Sequence, residues 1–257
     1  MNKISFLILI SFLVFSCKKD TDTTQSKPSA SSKMLLSKVK VGGKTASEFF
    51  YDNKQQLQEY RQYEFSGNLV QTIKYTYNSQ GQISKSENLQ GNNTIISAFA
   101  YDAQDRPLKR TYDYKDASGK IVKAVDSLEY NSVSQITKAF YLSDSQLDGY
   151  STYEYDSSQK NVLSEKYFFI KDKKAVLESQ WGYDFDKKRN PYQIFGYFFS
   201  SKAGINMNNS TIIIETLKMS SVAPQTTIIR GIVYEYNSTD FPIKQTINGQ
   251  IITFEYL

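Results

Sequence analysis

The sequence has no histidine, one cysteine, one tryptophan and five prolines in 257 residues. Without histidine there is no imidazole base and none of the commonest metal ligand, so Ser-His-Asp, Cys-His and His-zinc chemistries are excluded. The single cysteine, Cys17, has no partner within the chain for a disulfide and cannot make a thiolate cluster. The fold therefore rests on packing. Helical periodicity is missing after the first 16 residues, and no run of Lys and Arg is long enough to line a nucleic-acid groove. The densest basic cluster, Lys187-Lys188-Arg189, follows Asp184 and Asp186 and reads as a solvated turn.

Residues 1–16 carry one early charge, Lys3, and an apolar run from Ile4 to Ser16 that is too short for an ordinary membrane span and has the layout of a secretion signal. It ends in Leu13-Val14-Phe15-Ser16-Cys17, which resembles the lipobox of bacterial lipoproteins. The resemblance implies cleavage before Cys17 and lipidation of that residue, which would tie the chain to a membrane. An export signal with an uncleaved cysteine and an uncleaved signal anchor are the other readings. Cleavage removes only Lys3 among the charges, leaving 30 basic against 26 acidic residues, or +4.

Residues 17–33 hold the lipidation site and a polar stretch, Lys18 to Lys33, that lacks any apolar face and reads as a flexible tether. The charged run after Cys17 resembles the signals that send lipoproteins of Bacteroidota to the outer face of the outer membrane. The expected location is the outer membrane, on its surface or its periplasmic face.

Residues 34–257 show no composition shift and are enough for one all-β domain. What fills them is a repeat: aromatic, acidic or small, aromatic, Asn or Asp, a few turn residues, then an aliphatic restart. The second aromatic falls at 51, 77, 101, 130, 155 and 185, giving separations of 26, 24, 29, 25 and 30 residues. Alternate side chains of a strand share a face, so Tyr153 and Tyr155 point one way and Glu154 the other. Additional pairs, Tyr63/Phe65 and Tyr112/Tyr114, make each repeat two strands. Turn residues agree: Asn78-Ser79-Gln80-Gly81 and Asp116-Ala117-Ser118-Gly119 offer glycine where positive φ is needed, and in Asp105-Arg106-Pro107 and Asp240-Phe241-Pro242 proline replaces the glycine.

The acids between the aromatics, among them Glu129, Glu154, Glu235 and Glu255, and the lysines of returning strands, Lys85, Lys109, Lys138 and Lys244, describe the solvated face of a sheet. Gly43-Lys44-Thr45 lacks the upstream glycine of a phosphate loop, and the Ser-x-x-Lys pairs Ser37/Lys40 and Ser157/Lys160 lie in or beside strands. No catalytic, metal-binding or cofactor-binding set is assigned.

Tyr-Asp-Tyr-Lys-Asp-Ala-Ser-Gly at 112–119, Tyr-Glu-Tyr-Asp-Ser-Ser at 153–158 and Tyr-Glu-Tyr-Asn-Ser at 234–238 resemble the YD repeats of RHS proteins. With the lipobox, they are similar to YD-repeat lipoproteins of Bacteroidota. The resemblance implies an antiparallel meander of tandem hairpins curled into a superhelical sheet or shell, and no catalytic residue carries over. The repeat itself leaves open whether the sheet closes into a barrel.

The rhythm breaks at 190–227. Tyr192, Tyr197, Phe198, Phe199, Asn208 and Asn209 in that stretch are the candidate ligand contacts, on a loop at the mouth of the sheet. The expected function is a membrane-anchored, non-enzymatic envelope scaffold or binding surface, with a glycan, a peptide or another envelope protein as partner and no nucleic acid. A carbohydrate- or peptide-binding module of an uptake system predicts tyrosines exposed together on the concave face. A carboxylate hydrolase predicts two acids about 5–9.5 Å apart in a cleft.

Overall fold

The computed structural model describes residues 34–196, 206–217 and 226–257. The signal helix expected over 1–16, Cys17, the tether and Tyr197, Phe198 and Phe199 lie outside the described residues. The chain forms β1 (Leu36–Val41), β2 (Lys44–Tyr51), β3 (Leu57–Tyr63), β4 (Leu69–Tyr77), β5 (Ile83–Gln90), β6 (Asn93–Tyr101), β7 (Pro107–Lys115) and β8 (Ile121–Tyr130). It continues through β9 (Ile136–Ser143), β10 (Gln146–Tyr155), β11 (Val162–Lys171), β12 (Lys174–Arg189), β13 (Asn208–Leu217), β14 (Thr226–Tyr236), β15 (Pro242–Ile247) and β16 (Gln250–Tyr256). A short 3-10 turn, Gln193–Phe195, follows β12.

Every strand pairs antiparallel with its sequence neighbours, and β1 also pairs with β16 through Val39↔Phe254, Lys40↔Thr253 and Val41↔Ile252. The sheet is a closed 16-strand barrel, which corrects the expectation of a twisted sheet curled into a superhelix. Closure leaves no edge strand with unpaired backbone groups. It depends on a pairing between the two ends of the domain, which a repeat of about two strands per period does not encode.

The period-2 alternation sets inside from outside. In β8, Val122, Ala124, Asp126 and Leu128 are buried while Lys123 and Glu129 are exposed. In β10, Gly149, Ser151 and Tyr153 are buried and Glu154 is exposed. The inward residues gather into two apolar clusters. One holds Leu128, Ile136, Ala139, Tyr153, Val162 and Tyr183; the other holds Leu36, Val39, Phe49, Leu57 and Phe254, with Tyr192 and Phe195 packed against it. The outer wall carries ion pairs: Lys38–Glu48 at 3.0 Å, Lys85–Glu87 at 2.6 Å, Lys166–Glu154 at 3.1 Å, Lys244–Glu235 at 2.6 Å, and Lys40–Glu255. Each is worth at most about 1 kcal/mol, so they add little to what holds the wall together.

The repeat motif builds the lower rim. Asp52 Oδ1 accepts from the backbone N–H of Lys54 and of Gln56, both at 2.8 Å, while Gln55 sits at φ 61°. Asn78, Asp102, Asn131 and Asn237 accept in the same way, from the second and fourth residues after each. Asp105 and Asp240 themselves take the positive φ, and the prolines after them open β7 and β15, where no ladder N–H is lost. In six repeats the tyrosine that ends a strand then donates its hydroxyl to the carbonyl of the residue that opens the preceding strand: Tyr51 to Leu36, Tyr77 to Leu57, Tyr101 to Ile83, Tyr130 to Pro107, Tyr155 to Ile136 and Tyr256 to Pro242. Most upper-rim connections are tighter. Gly42-Gly43, Asp144-Ser145, Asp172-Lys173 and Asn248-Gly249 each place two positive-φ residues in a hairpin turn.

Candidate functional site

Two apolar clusters do not fill a 16-strand barrel, and one gap lies inside β4–β7. It has a volume of about 320 Å³. Its cause is the size of the inward residues. One cross-strand row reads Tyr75↔Ser86, Ser86↔Ser97 and Ser97↔Tyr112, with two small hydroxyl side chains between two rings. Nearer the upper rim the row is Ile73↔Asn88 and Asn88↔Ile95, and Gln71 donates to Asn88 Oδ1 at 2.8 Å. Below lies Phe99↔Arg110 and Arg110↔Asp126. Phe195 and Gly196 supply part of the remaining wall.

Arg110 and Asp126 form the charged part of the site. Arg110 Nε donates to Asp126 Oδ2 at 2.9 Å, its Nη2 reaches the same oxygen, and its guanidinium lies 4.8 Å from the Tyr112 ring centroid. Burial pushes the Asp126 carboxyl upward and Arg110 only partly offsets it, so desolvation outweighs the ion pair here. Burial also raises the Tyr75 and Tyr112 hydroxyls, which stay protonated and able to donate at neutral pH. The site therefore offers amides, hydroxyls, aromatic faces and a charge that is already neutralised.

The described residues after β12, Asn190 to Gly196, reach inward at the lower rim. Arg189 N–H donates to Asp240 O at 3.1 Å, Asn190 N–H to Met207 O at 3.1 Å, and Val162 N–H to Asn206 Oδ1 at 2.7 Å. Phe195 stacks on Phe49 with centroids 5.1 Å apart, and Tyr192 meets Phe254 edge-on at 6.4 Å. Among the candidate contacts read from the sequence, Tyr192 thus packs inside the barrel. Asn208 Nδ2 donates to Lys188 O and its N–H to Asn161 Oδ1, while Asn209 Nδ2 donates to Arg189 O and its N–H to Asp186 Oδ1. The three residues come together in the wall of a second cavity of about 160 Å³, with Ser210, Tyr234 and Phe254. They are not brought to the cavity inside β4–β7, whose walls include Phe195 and Gly196 from the same segment.

Other inward acids are also engaged. Arg230 pairs with Glu215 at 2.8 Å, and Ser151 Oγ donates to Glu165 Oε1 at 3.1 Å. No group of three or more acids and cysteines capable of holding a metal occurs among the described residues.

Gln71, Ser86, Asn88, Ser97 and Arg110 were not legible as a site. A signal existed: counting back in twos from Tyr101 and Phe99 puts Ser97 on the aromatic face, and from Tyr112 puts Arg110 there. A small hydroxyl and a cation on the buried face of a repeat mark the places where the core is left open.

No protein-family model matches the chain, and no curated protein matches it. Its fold is similar to that of two crystal structures. The first is described as a porin-like protein from Bacteroides uniformis, with a TM-score of 0.53 at 11% identity over 86% of this chain and 98% of that one. The second is described as a porin-like protein from Bacteroides vulgatus, with a TM-score of 0.50 at 10% identity over 87% and 99%. At these identities the likeness is one of fold.

Proposed function

We propose that the protein is a lipid-tethered, non-catalytic barrel of the bacterial cell envelope that works in water beside the bilayer and holds a small ligand in its lumen. The observation that carries this reading is the polarity of the wall. A membrane-spanning barrel shows an apolar band outward and a polar lumen, and each Lys or Arg on the lipid face costs about 2–4 kcal/mol at the bilayer midplane. Here charged side chains, paired as in Lys85–Glu87 and Lys166–Glu154, recur along the outward face among apolar ones such as Ile96 and Val233, and two apolar clusters lie inside. The porin-like description of the Bacteroides structures supports an envelope setting, and the wall argues against a pore. A tether from Cys17 supports attachment without insertion. The pairing of Asp126 and Glu215 with arginines favours holding over hydrolysis.

The test is fractionation of cells expressing the chain or Cys17→Ser. The wild type should sediment with membranes and incorporate a fatty-acid label, and the variant should be soluble and unlabelled. A variant that stays in the membrane pellet after alkaline carbonate extraction contradicts the proposal.

A further inference from the structure

We infer that the lumen cavity inside β4–β7 binds one neutral sugar ring or the end of a short neutral glycan. The inference rests on the lumen-ligand part of the reading above and is independent of Cys17.

Shape comes first. At about 320 Å³ the cavity holds about ten waters' worth of space and sits at the small end of ligand pockets. Tyr75 and Tyr112 stand at the two ends of the row through Ser86 and Ser97, three strand steps or about 14 Å apart at the backbone. Two aromatic walls over a floor of small hydroxyl side chains make a slot for a flat, ring-sized body. Rings of this kind pack against the C–H faces of a pyranose.

Polar chemistry narrows the class. Gln71 and Asn88 satisfy each other with one bond, which leaves an amide oxygen on Gln71 and an amide N–H2 on Asn88 to meet adjacent hydroxyls, groups that donate and accept together. An anion gains no net charge, because the Arg110 guanidinium already bonds Asp126 through two nitrogens. A purely aliphatic ligand would leave the amide pair and the serines facing hydrocarbon, which is costly. Both point to an uncharged polyol ring. Entry is from the upper rim, where inward Gln62, paired across the sheet with Gln71, is exposed.

The experiment is calorimetric titration of the purified full chain with glucose, galactose, mannose and N-acetylglucosamine and their disaccharides, beside glucuronate and octanoate. At least one neutral sugar should bind saturably at one site per chain, and glucuronate and octanoate should not. Asn88→Ala should weaken binding about tenfold or more, the loss of about 1.4 kcal/mol, and Ser97→Leu should abolish it by filling the slot. Tyr150→Ala, on the outer wall, should leave it unchanged. Asn88→Ala creates little void and carries the test if Ser97→Leu fails to fold. No binding by any neutral sugar, binding indifferent to Asn88→Ala, or preference for octanoate or glucuronate overturns the inference. None of these results bears on fractionation, so the tethered barrel stands or falls apart from the sugar.

Discussion

The Tyr155 hydroxyl donates to the carbonyl of Ile136 at 3.0 Å, reaching from the end of β10 to the first residue of β9. The carbonyl lies just beyond the Asn131 turn, at the first pair of the ladder, Tyr130↔Ile136, and the ring packs against the apolar cluster around Tyr153. One side chain thus joins core packing to rim hydrogen bonding, and five other tyrosines repeat the bond around the lower rim. Tyr155→Phe keeps the ring and loses the bond, so it should cost about 1 kcal/mol in urea unfolding. Tyr155→Phe combined with Tyr77→Phe, on strands far apart around the barrel, should cost about the sum.

Alkali should unfold the barrel through the same groups. Burial pushes Tyr77, Tyr130 and Tyr155 up to about 12 from 10.0, with nearby carboxylates, Asp52 for Tyr77 and Asp102 for Tyr130, adding to it. A raised folded value means that the unfolded chain loses its phenolic proton first. The contribution to stability is then complete below pH 10 and is lost as pH rises through about 12. Phenolate absorbance followed with circular dichroism should show these tyrosines ionising together with unfolding. Ionisation near pH 10 with the barrel intact would contradict the burial.

Turn chemistry gives opposite effects at neighbouring positions. Asn131 Oδ1 holds the N–H groups of Val133 and Gln135 at 3.1 and 2.9 Å, whereas Ser134 occupies φ 65°. Asn131→Ala should lose about 1–2 kcal/mol. Ser134→Gly should leave stability unchanged or raise it by up to about 1 kcal/mol by relieving a left-handed backbone. Thermal melts of both variants check the pair.

Gly149 has no positive φ, yet the barrel needs it. A Cβ there would stand 2.5 Å from the backbone carbonyl of Phe168 and 2.8 Å from the Tyr167 hydroxyl. The carbonyl belongs to β11 and moves only with its strand. Gly149→Ala should therefore cost about 1–3 kcal/mol, read as a lowered denaturation midpoint.

Much of the architecture was legible because it is local. Pairs such as Tyr153/Tyr155 gave the strands, their facing and two strands per repeat, since a period of two is written in each segment. The positive φ at Gly81 and Gly119 was legible for the same reason, while at Asp105 and Asp240 the reading gave the turn but assigned the glycine's place to proline. Closure was not legible, because Val39↔Phe254 joins residues more than two hundred apart and no pattern in either strand names its partner. The break in rhythm at 190 marked a segment of special placement. That Phe195 would turn inward onto Phe49 depended on the space the closed barrel leaves, and so did the cavity beside it.

The proposal of a barrel that works in water and packs its apolar clusters inside is tested most directly by the behaviour of residues 34–257 purified without detergent. The account predicts a soluble β-rich monomer that melts cooperatively, does not partition into liposomes and gives no conductance in a planar bilayer. A fragment that aggregates until detergent is added, and then inserts or conducts, would contradict it.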